Sequence, residues 1–138
     1  MNRMMWKTEE VAAVYLAALC AWREARGEGS EGMRAVLHVI KNRSRSPGWW
    51  GANIVDVILK PSQFSCFLPG DPNAVKFPAS DDAVFAQALD LAANVIAGQD
   101  EDLTGGADHY HEQNVFPAWA SKMTRIARIG RHLFYRSK

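Results

Sequence analysis

A chain of 138 residues can bury one hydrophobic core and shape a cleft, but has no room for a separate binding module. With 48% hydrophobic and 22% charged residues it is not a disordered chain, and a net charge of +1 carries no nucleic-acid footprint. The basic residues are uneven, however: Lys122, Arg125, Arg128, Arg131, Arg136 and Lys138 follow one another with no Asp or Glu between them. Such an edge suits an anionic surface, and a solvated basic tail is the plainer alternative.

Arg3 and Lys7 precede an apolar stretch over residues 11–22, which resembles the start of an export signal. Glu9 and Glu10 interrupt the approach, and no small-x-small site closes it. The stretch is also well short of the roughly 18 apolar residues of a membrane span. The expectation is a chain made in the cytoplasm, without a signal peptide or stable membrane association, acting as a monomer. Cys20 and Cys66 are too few for a disulfide framework, so one bridge and two buried thiols both remain open.

In chain order, Thr8 reads as the N-cap of a helix with Glu9 and Glu10 in its first turn, running to about Arg26 and ended by Gly27 and Gly29. Its middle is apolar on all sides, which predicts the buried central helix of the domain. A second helix starts at a Ser30 cap, carries Met33, Val36, Leu37 and Ile40 at helical spacing, and stops before Ser46-Pro47-Gly48. Residues 53–59 read as a short helix broken by Pro61, and residues 63–78 as a loop with turns at Pro69-Gly70 and Asp71-Pro72. Ser80 caps a third long helix with Asp81 and Asp82 in its first turn. Val84, Leu89, Leu91, Val95 and Ile96 give its apolar positions, and Gly98 closes it. Beyond it, Gly105-Gly106 marks a turn, residues 107–111 a short strand, residues 121–127 a helix and residues 133–135 an extended segment. The pattern predicts a mainly α (α+β) fold, a single domain over residues 1–138 with a small β/loop region.

The segment richest in chemistry is Arg23-Glu24-Ala25-Arg26-Gly27-Glu28. Counting back from Glu24 in helical steps reaches Cys20, Ala17 and Ala13, so Glu24 continues a small apolar stripe at the carboxyl end of the first helix. Desolvation and the negative end of the helix dipole both favour a neutral carboxyl, the form that protonates a leaving oxygen. The competing reading is a salt bridge from Glu24 to Arg23 or Arg26. Glu28 lies one turn on and is a supporting carboxylate whose direction depends on the glycines around it.

The stretch Glu24-Ala25-Arg26-Gly27-Glu28-Gly29-Ser30-Glu31-Gly32, followed by Lys41-Asn42-Arg43, resembles the signature of the SleB/CwlJ-type cell wall hydrolases. Further matches follow in order: Lys60-Pro61-Ser62-Gln63-Phe64-Ser65, Gly105-Gly106-Ala107 with Tyr110, Trp119, and Ile129-Gly130-Arg131-His132-Leu133-Phe134-Tyr135. The resemblance implies a lysozyme-like fold with Glu24 as catalytic acid. It implies peptidoglycan glycan strands as substrate, cut between N-acetylmuramic acid and N-acetylglucosamine by a lytic transglycosylase or a muramidase. The setting it suggests is a bacteriolytic phage endolysin or a wall-remodelling enzyme. The chain departs from the pattern at Arg131, where Asn usually precedes the His, and in His111-Glu112-Gln113-Asn114 after Tyr110.

The resemblance also points to Gln63, Ser65, Tyr110 and His132 as supporting or substrate-binding residues, with Phe64 read mainly as a core anchor. Trp49, Trp50 and Trp119 are candidates for stacking on sugar rings, and adjacent Trp49 and Trp50 cannot both enter the core. His109, His111 and Glu112 invite a metal reading, but no third and fourth ligand with recognised spacing appears, so no metal or cofactor is expected. Two rivals from other classes stay open: a non-catalytic peptidoglycan-binding module, and a peptidoglycan amidase or endopeptidase using a Cys66/His pair or a metal.

Overall fold

A computed structural model describes residues 7–46 and 48–137; Arg3, Pro47 and Lys138, which entered the sequence reading, lie outside them. The first helix, α1, spans Thr8–Ala25. Lys7 rather than Thr8 is its N-cap, because Glu10 reaches back and its Oε1 accepts the Lys7 N–H at 2.8 Å. A glutamate three residues into the helix can satisfy the cap from within. Every residue from Ala17 to Arg23 is buried, whereas Val11 and Tyr15 in the first half are exposed.

A single 3-10 turn, Arg26–Glu28, separates α1 from α2, Gly29–Ser44. Gly29 takes φ +77°, a conformation that favours glycine, and α2 begins there without the expected Ser30 cap. Besides the predicted stripe of Met33, Val36, Leu37 and Ile40, α2 buries a second stripe of Ala35 and Val39. The first stripe faces the helices and the second faces the sheet, so α2 is covered on both sides.

Helix α3, Ile54–Leu59, is capped by Asn53, whose side chain accepts from the Asp56 N–H at 2.9 Å. Helix α4, Ala83–Ile96, starts two residues later than the sequence suggests, because Asp82 and not Ser80 accepts from the Phe85 N–H. Its buried face is Phe85, Ala88, Ala92 and Val95. The larger Leu89, Leu91 and Ile96 are only partly buried and Val84 is exposed. Small residues at 88 and 92 bring α4 close to the alanine-rich side of α1.

The three strands are β1 (His109–Glu112), β2 (Thr124–Ile129) and β3 (His132–Arg136), antiparallel in the order β1-β3-β2. The helix expected over residues 121–127 does not form: a 3-10 turn, Ala118–Lys122, is followed directly by β2. Strand pairing with β3 through the tight turn at Gly130, φ +58°, overrides the local preference. The sheet docks on α2 through Phe134, which packs with Ala35, Val39 and Ala107.

The loop between α4 and β1 is tied to a polar stripe on α2. Arg34 Nε and His38 Nε2 pair with Asp100 Oδ2 at 3.0 and 2.7 Å. Asn42 Nδ2 donates to Asp102 Oδ2 and to the Ala107 carbonyl, both at 2.9 Å. Cys20 and Cys66 are buried, unbridged thiols, and burial pushes the Cys20 thiol up, the neighbouring Cys66 acting in the same direction. No helix among the described residues is long and apolar enough to cross a membrane.

Phe134 is the largest fully buried side chain and the main contact between sheet and helices. Phe134→Ala is expected to lower unfolding stability by roughly 3–5 kcal/mol in a urea titration, and a change below about 1 kcal/mol would mean that the sheet does not depend on this contact.

Candidate active site

Glu24 is delivered to the surface by the last turn of α1, directly above the buried Cys20, Ala17 and Ala13. Neither flanking arginine pairs with it. Arg23 is buried, donating from Nε to the Lys76 carbonyl at 3.1 Å and from Nη1 to the Cys66 carbonyl at 3.2 Å. Its guanidinium lies over the rings of Phe67 and Phe77, which fastens the loop over residues 64–77 to α1. Arg26 stacks on Trp22 and donates to the Trp22 carbonyl and to Asn73 Oδ1. Among the described residues Glu24 therefore has no ion pair, and its partner is a neutral donor: the Tyr110 hydroxyl donates to Glu24 Oε1 at 2.5 Å. Burial, with the nearby Glu24 next in weight, pushes the Tyr110 phenol well above its ordinary value, so it stays protonated and remains the donor.

Two adjoining hollows, of about 320 and 380 Å³, share Glu24, Glu112 and His132 and together form one cleft. The smaller is also lined by Arg43, Ser62, Gln63, Ser65 and Tyr110. Glu24, Gln63, Ser65, Tyr110 and His132 are thus brought to one place from α1, the loop after α3, β1 and β3. Phe64, between the two polar residues, turns inward and is buried under Arg43. Ser62 precedes them with φ +66°, the one positive-φ residue other than glycine among the described residues. A left-handed residue at that point reverses the chain and presents Gln63 and Ser65 to the cleft.

His132 and Glu112 are cross-strand partners, as are Phe134 and Tyr110, so all four share one face of the sheet. The His132 ring packs edge-on to Tyr110 at 5.4 Å between centroids. Desolvation pulls the His132 imidazole below its ordinary value, against the opposing pull of Glu28, Glu24 and Glu112. A neutral ring is therefore the form that lines the cleft near neutral pH.

Glu28 has a different task. Its Oε1 accepts the Arg131 backbone N–H at 2.8 Å, and its Oε2 accepts Arg131 Nε at 2.8 Å and lies 2.7 Å from Nη2. It is a clamp between the helix junction and the β2–β3 turn, with little left to offer a substrate. The backbone contact is open to any residue at 131, whereas the side-chain contacts are supplied by the arginine in which this chain departs from the pattern. Gly130 makes room for the clamp, since a Cβ there would fall 2.4 Å from Glu28 Oε1.

Trp119 is not part of this cleft. It packs on His109, His111 and Tyr135, on the opposite face of the sheet, at centroid distances of 4.9, 5.7 and 5.4 Å. Trp49 is exposed and Trp50 half-buried beneath it. Both His111 nitrogens contact oxygens, Nδ1 the Glu112 carbonyl and Nε2 the Tyr135 hydroxyl. No group of three His, Cys, Asp or Glu residues able to hold a metal occurs among the described residues. Sequence reasoning missed Glu112 as a cleft carboxylate, having weighed it only as a metal ligand. It also missed Arg43, whose place in the repeated Lys41-Asn42-Arg43 motif was the available signal. Arg43 is buried between the rings of Trp50 and Phe64 with Nε donating to the Asp108 carbonyl at 2.7 Å.

Residues 27–135 match the family model described as cell wall hydrolase. The chain belongs to the cell wall hydrolase family. Among curated proteins it is similar to a spore cortex-lytic enzyme of Halalkalibacterium halodurans, 32% identical over 122 residues and 88% of this chain. The chain spans 34% of that relative's length. Among solved structures it is similar to the catalytic domain of the germination-specific lytic transglycosylase SleB from Bacillus anthracis, with a TM-score of 0.73 at 24% identity, covering 98% of this chain and 100% of that one. The catalytic domain of the Bacillus cereus SleB protein gives the same TM-score and identity, over 97% of this chain and 94% of that one. The α-rich, lysozyme-like architecture expected from the sequence is the architecture of this cell wall hydrolase.

The Glu28 clamp has a defined pH signature. Hydrogen bonding from the Arg131 backbone, then from its side chain, holds the Glu28 carboxyl below its ordinary value despite opposing desolvation. Because the folded value lies below the unfolded one, the clamp stabilises above the ordinary glutamate range of about 4.3 and is lost as pH falls through the folded value. Glu28→Gln is expected to melt below wild type at pH 7, with the two midpoints converging in the acid range. A constant difference across pH would show that the carboxylate charge is not what holds the turn.

Proposed function

We propose that this cell wall hydrolase cleaves peptidoglycan glycan strands between N-acetylmuramic acid and N-acetylglucosamine, with Glu24 as general acid. The observation that carries the reading is the state of Glu24: a carboxyl at the end of a buried helix, facing a cleft, hydrogen-bonded by a neutral phenol and by no cation. Such a group can give its proton to the leaving glycosidic oxygen and take one back afterwards. Gln63 and Ser65 supply an amide and a hydroxyl on the facing wall, suited to the N-acetyl and hydroxyl groups of the sugars.

The transglycosylase route follows from what surrounds the acid. Glu28, the carboxylate one turn away, is engaged by Arg131 and is poorly placed to hold a water molecule. Once the leaving oxygen is protonated and the bond to the muramyl carbon breaks, the 6-hydroxyl of the same sugar attacks that carbon and loses its proton to Glu24. The products are a free hydroxyl on one strand and a 1,6-anhydromuramyl end on the other, with no water consumed. Hydrolysis is the second reading, and Glu112 is its one specific support, being a further carboxylate that lines the same cleft. Its oxygens accept from the Asn114 N–H and side-chain amide, which orients it without neutralising it.

The biological setting we propose is release of the chain onto the cell wall, as a phage endolysin or a wall-remodelling enzyme, acting as a monomer without a cofactor. The spore cortex-lytic enzyme and the SleB catalytic domains are proteins of bacterial walls by name, which supports the substrate class.

Glu24→Gln keeps the shape of the side chain and the contact to Tyr110, so it is expected to fold normally. Its clearing of purified peptidoglycan should fall by about 10²- to 10⁴-fold, the usual contribution of a general acid. Mass spectrometry of wild-type products should show muramyl ends lighter by one water than reducing ends. Reducing ends would select hydrolysis, and an undiminished variant would remove Glu24 from the chemistry.

A further inference from the structure

A separate cavity of about 530 Å³ lies at the far end of the strands from Glu24, lined by Asn42, Arg45, Asp108, Lys122, Arg136 and Ser137 among others. Its three cations come from three elements: Arg45 caps the carboxyl end of α2, Lys122 ends the 3-10 turn before β2, and Arg136 ends β3. All three are exposed, and among the described residues none has a carboxylate within ion-pair distance. The one acid in the cavity, Asp108, is already engaged, by His109 Nδ1 at 2.9 Å and by the N–H and hydroxyl of Ser137 at 2.9 and 2.6 Å. The cavity therefore presents net positive charge that the fold itself does not use.

Its position relates it to the cleft. Asp108 lines the cavity, and Tyr110 and Glu112, two and four residues further along the same extended segment, line the cleft. At about 3.3 Å per residue, those separations are roughly 7 and 13 Å. Each muramyl sugar of peptidoglycan carries a short peptide with free carboxylates, and three extended residues reach about 10 Å. A peptide leaving a muramyl sugar held beside Glu24 can thus bring a carboxylate to the cavity, where guanidinium groups bind it with charge-assisted hydrogen bonds.

We propose that this cavity is a subsite for a carboxylate of the peptide carried by the substrate, so that the enzyme favours peptide-bearing over bare glycan strands. The inference rests on the glycan-cleaving reading above. It explains why the basic C-terminal edge lacks acidic residues: Arg131 is taken by Glu28 and Arg128 by Gln113, while Lys122 and Arg136 turn into the cavity.

The test compares initial rates on soluble glycan strands with their peptides and on the same strands stripped of peptide by an amidase. Wild type is expected to cleave the peptide-bearing strands faster. Arg45→Gln/Arg136→Gln should shrink that advantage by about three- to tenfold, the range for two partly screened charge pairs, mainly through KM. Lys7→Gln/Arg125→Gln, which removes the same charge elsewhere on the surface, should retain it. Raised salt should weaken the preference of wild type in the same direction as the cavity variant.

Equal wild-type rates on the two substrates overturn the proposal, as does an equal loss in both double variants, which reduces it to general charge attraction. A preference that tracks phosphate-bearing polymer on intact walls, rather than peptide, also overturns it and makes the ligand a phosphodiester. Failure of wild type to cleave either strand preparation overturns the glycan-cleaving reading itself, a result distinct from cleavage without preference.

Discussion

The structure depends on the burial of the carboxyl half of α1. From Ala17 to Trp22 the helix is walled in by α2, α3 and α4, and a run this apolar has no stable place except the centre of a helical layer. Its exit from that layer is therefore set by packing, and the exit point is Glu24. A carboxyl at such a point must be paired, hydrogen-bonded or left neutral. The two arginines beside it are drawn away to carbonyl oxygens and aromatic rings, and the group that reaches it is the Tyr110 hydroxyl. That contact ties the helical layer to the sheet.

The sheet is small and needs to be held against the helices. Phe134 supplies the apolar contact to α2, the Arg34, His38 and Asn42 stripe holds the loop entering β1, and the Glu28–Arg131 clamp closes the far end. Each attachment lies beside or beneath the cleft, so forces that stabilise the sheet also set the distance between its two walls. Polar side chains with defined partners give a firmer register than apolar packing alone for three short strands.

The features legible in the sequence are those whose causes are local. Glu24 stood out because an acidic residue completes a stripe of small apolar ones, and Gln63, Ser65, Tyr110 and His132 stood in ordered motifs around it. Features set by distant pairing were not legible. Arg131 meets Glu28 across 103 residues, and nothing near either residue announces it. Residues 121–127 have a helical look that β3 overrides, and Trp119 lies on the wrong face because strand register decides which side chains point where. The same register brings Glu112 into the cleft, although its neighbours His109 and His111 suggested a ligand set. The second stripe of α2 escaped notice because Ala35 is too small to register as a core position until Phe134 is seen to pack there.

The measurement that bears most directly on the central claim is a crystal structure of Glu24→Gln with a muramyl-containing tetrasaccharide bound. The account predicts the scissile glycosidic oxygen within hydrogen-bond reach of residue 24, with sugars on either side contacting Gln63, Ser65 and Tyr110. A glycan seated away from residue 24, for example stacked on Trp119 across the sheet, would contradict it and make the protein a binding module.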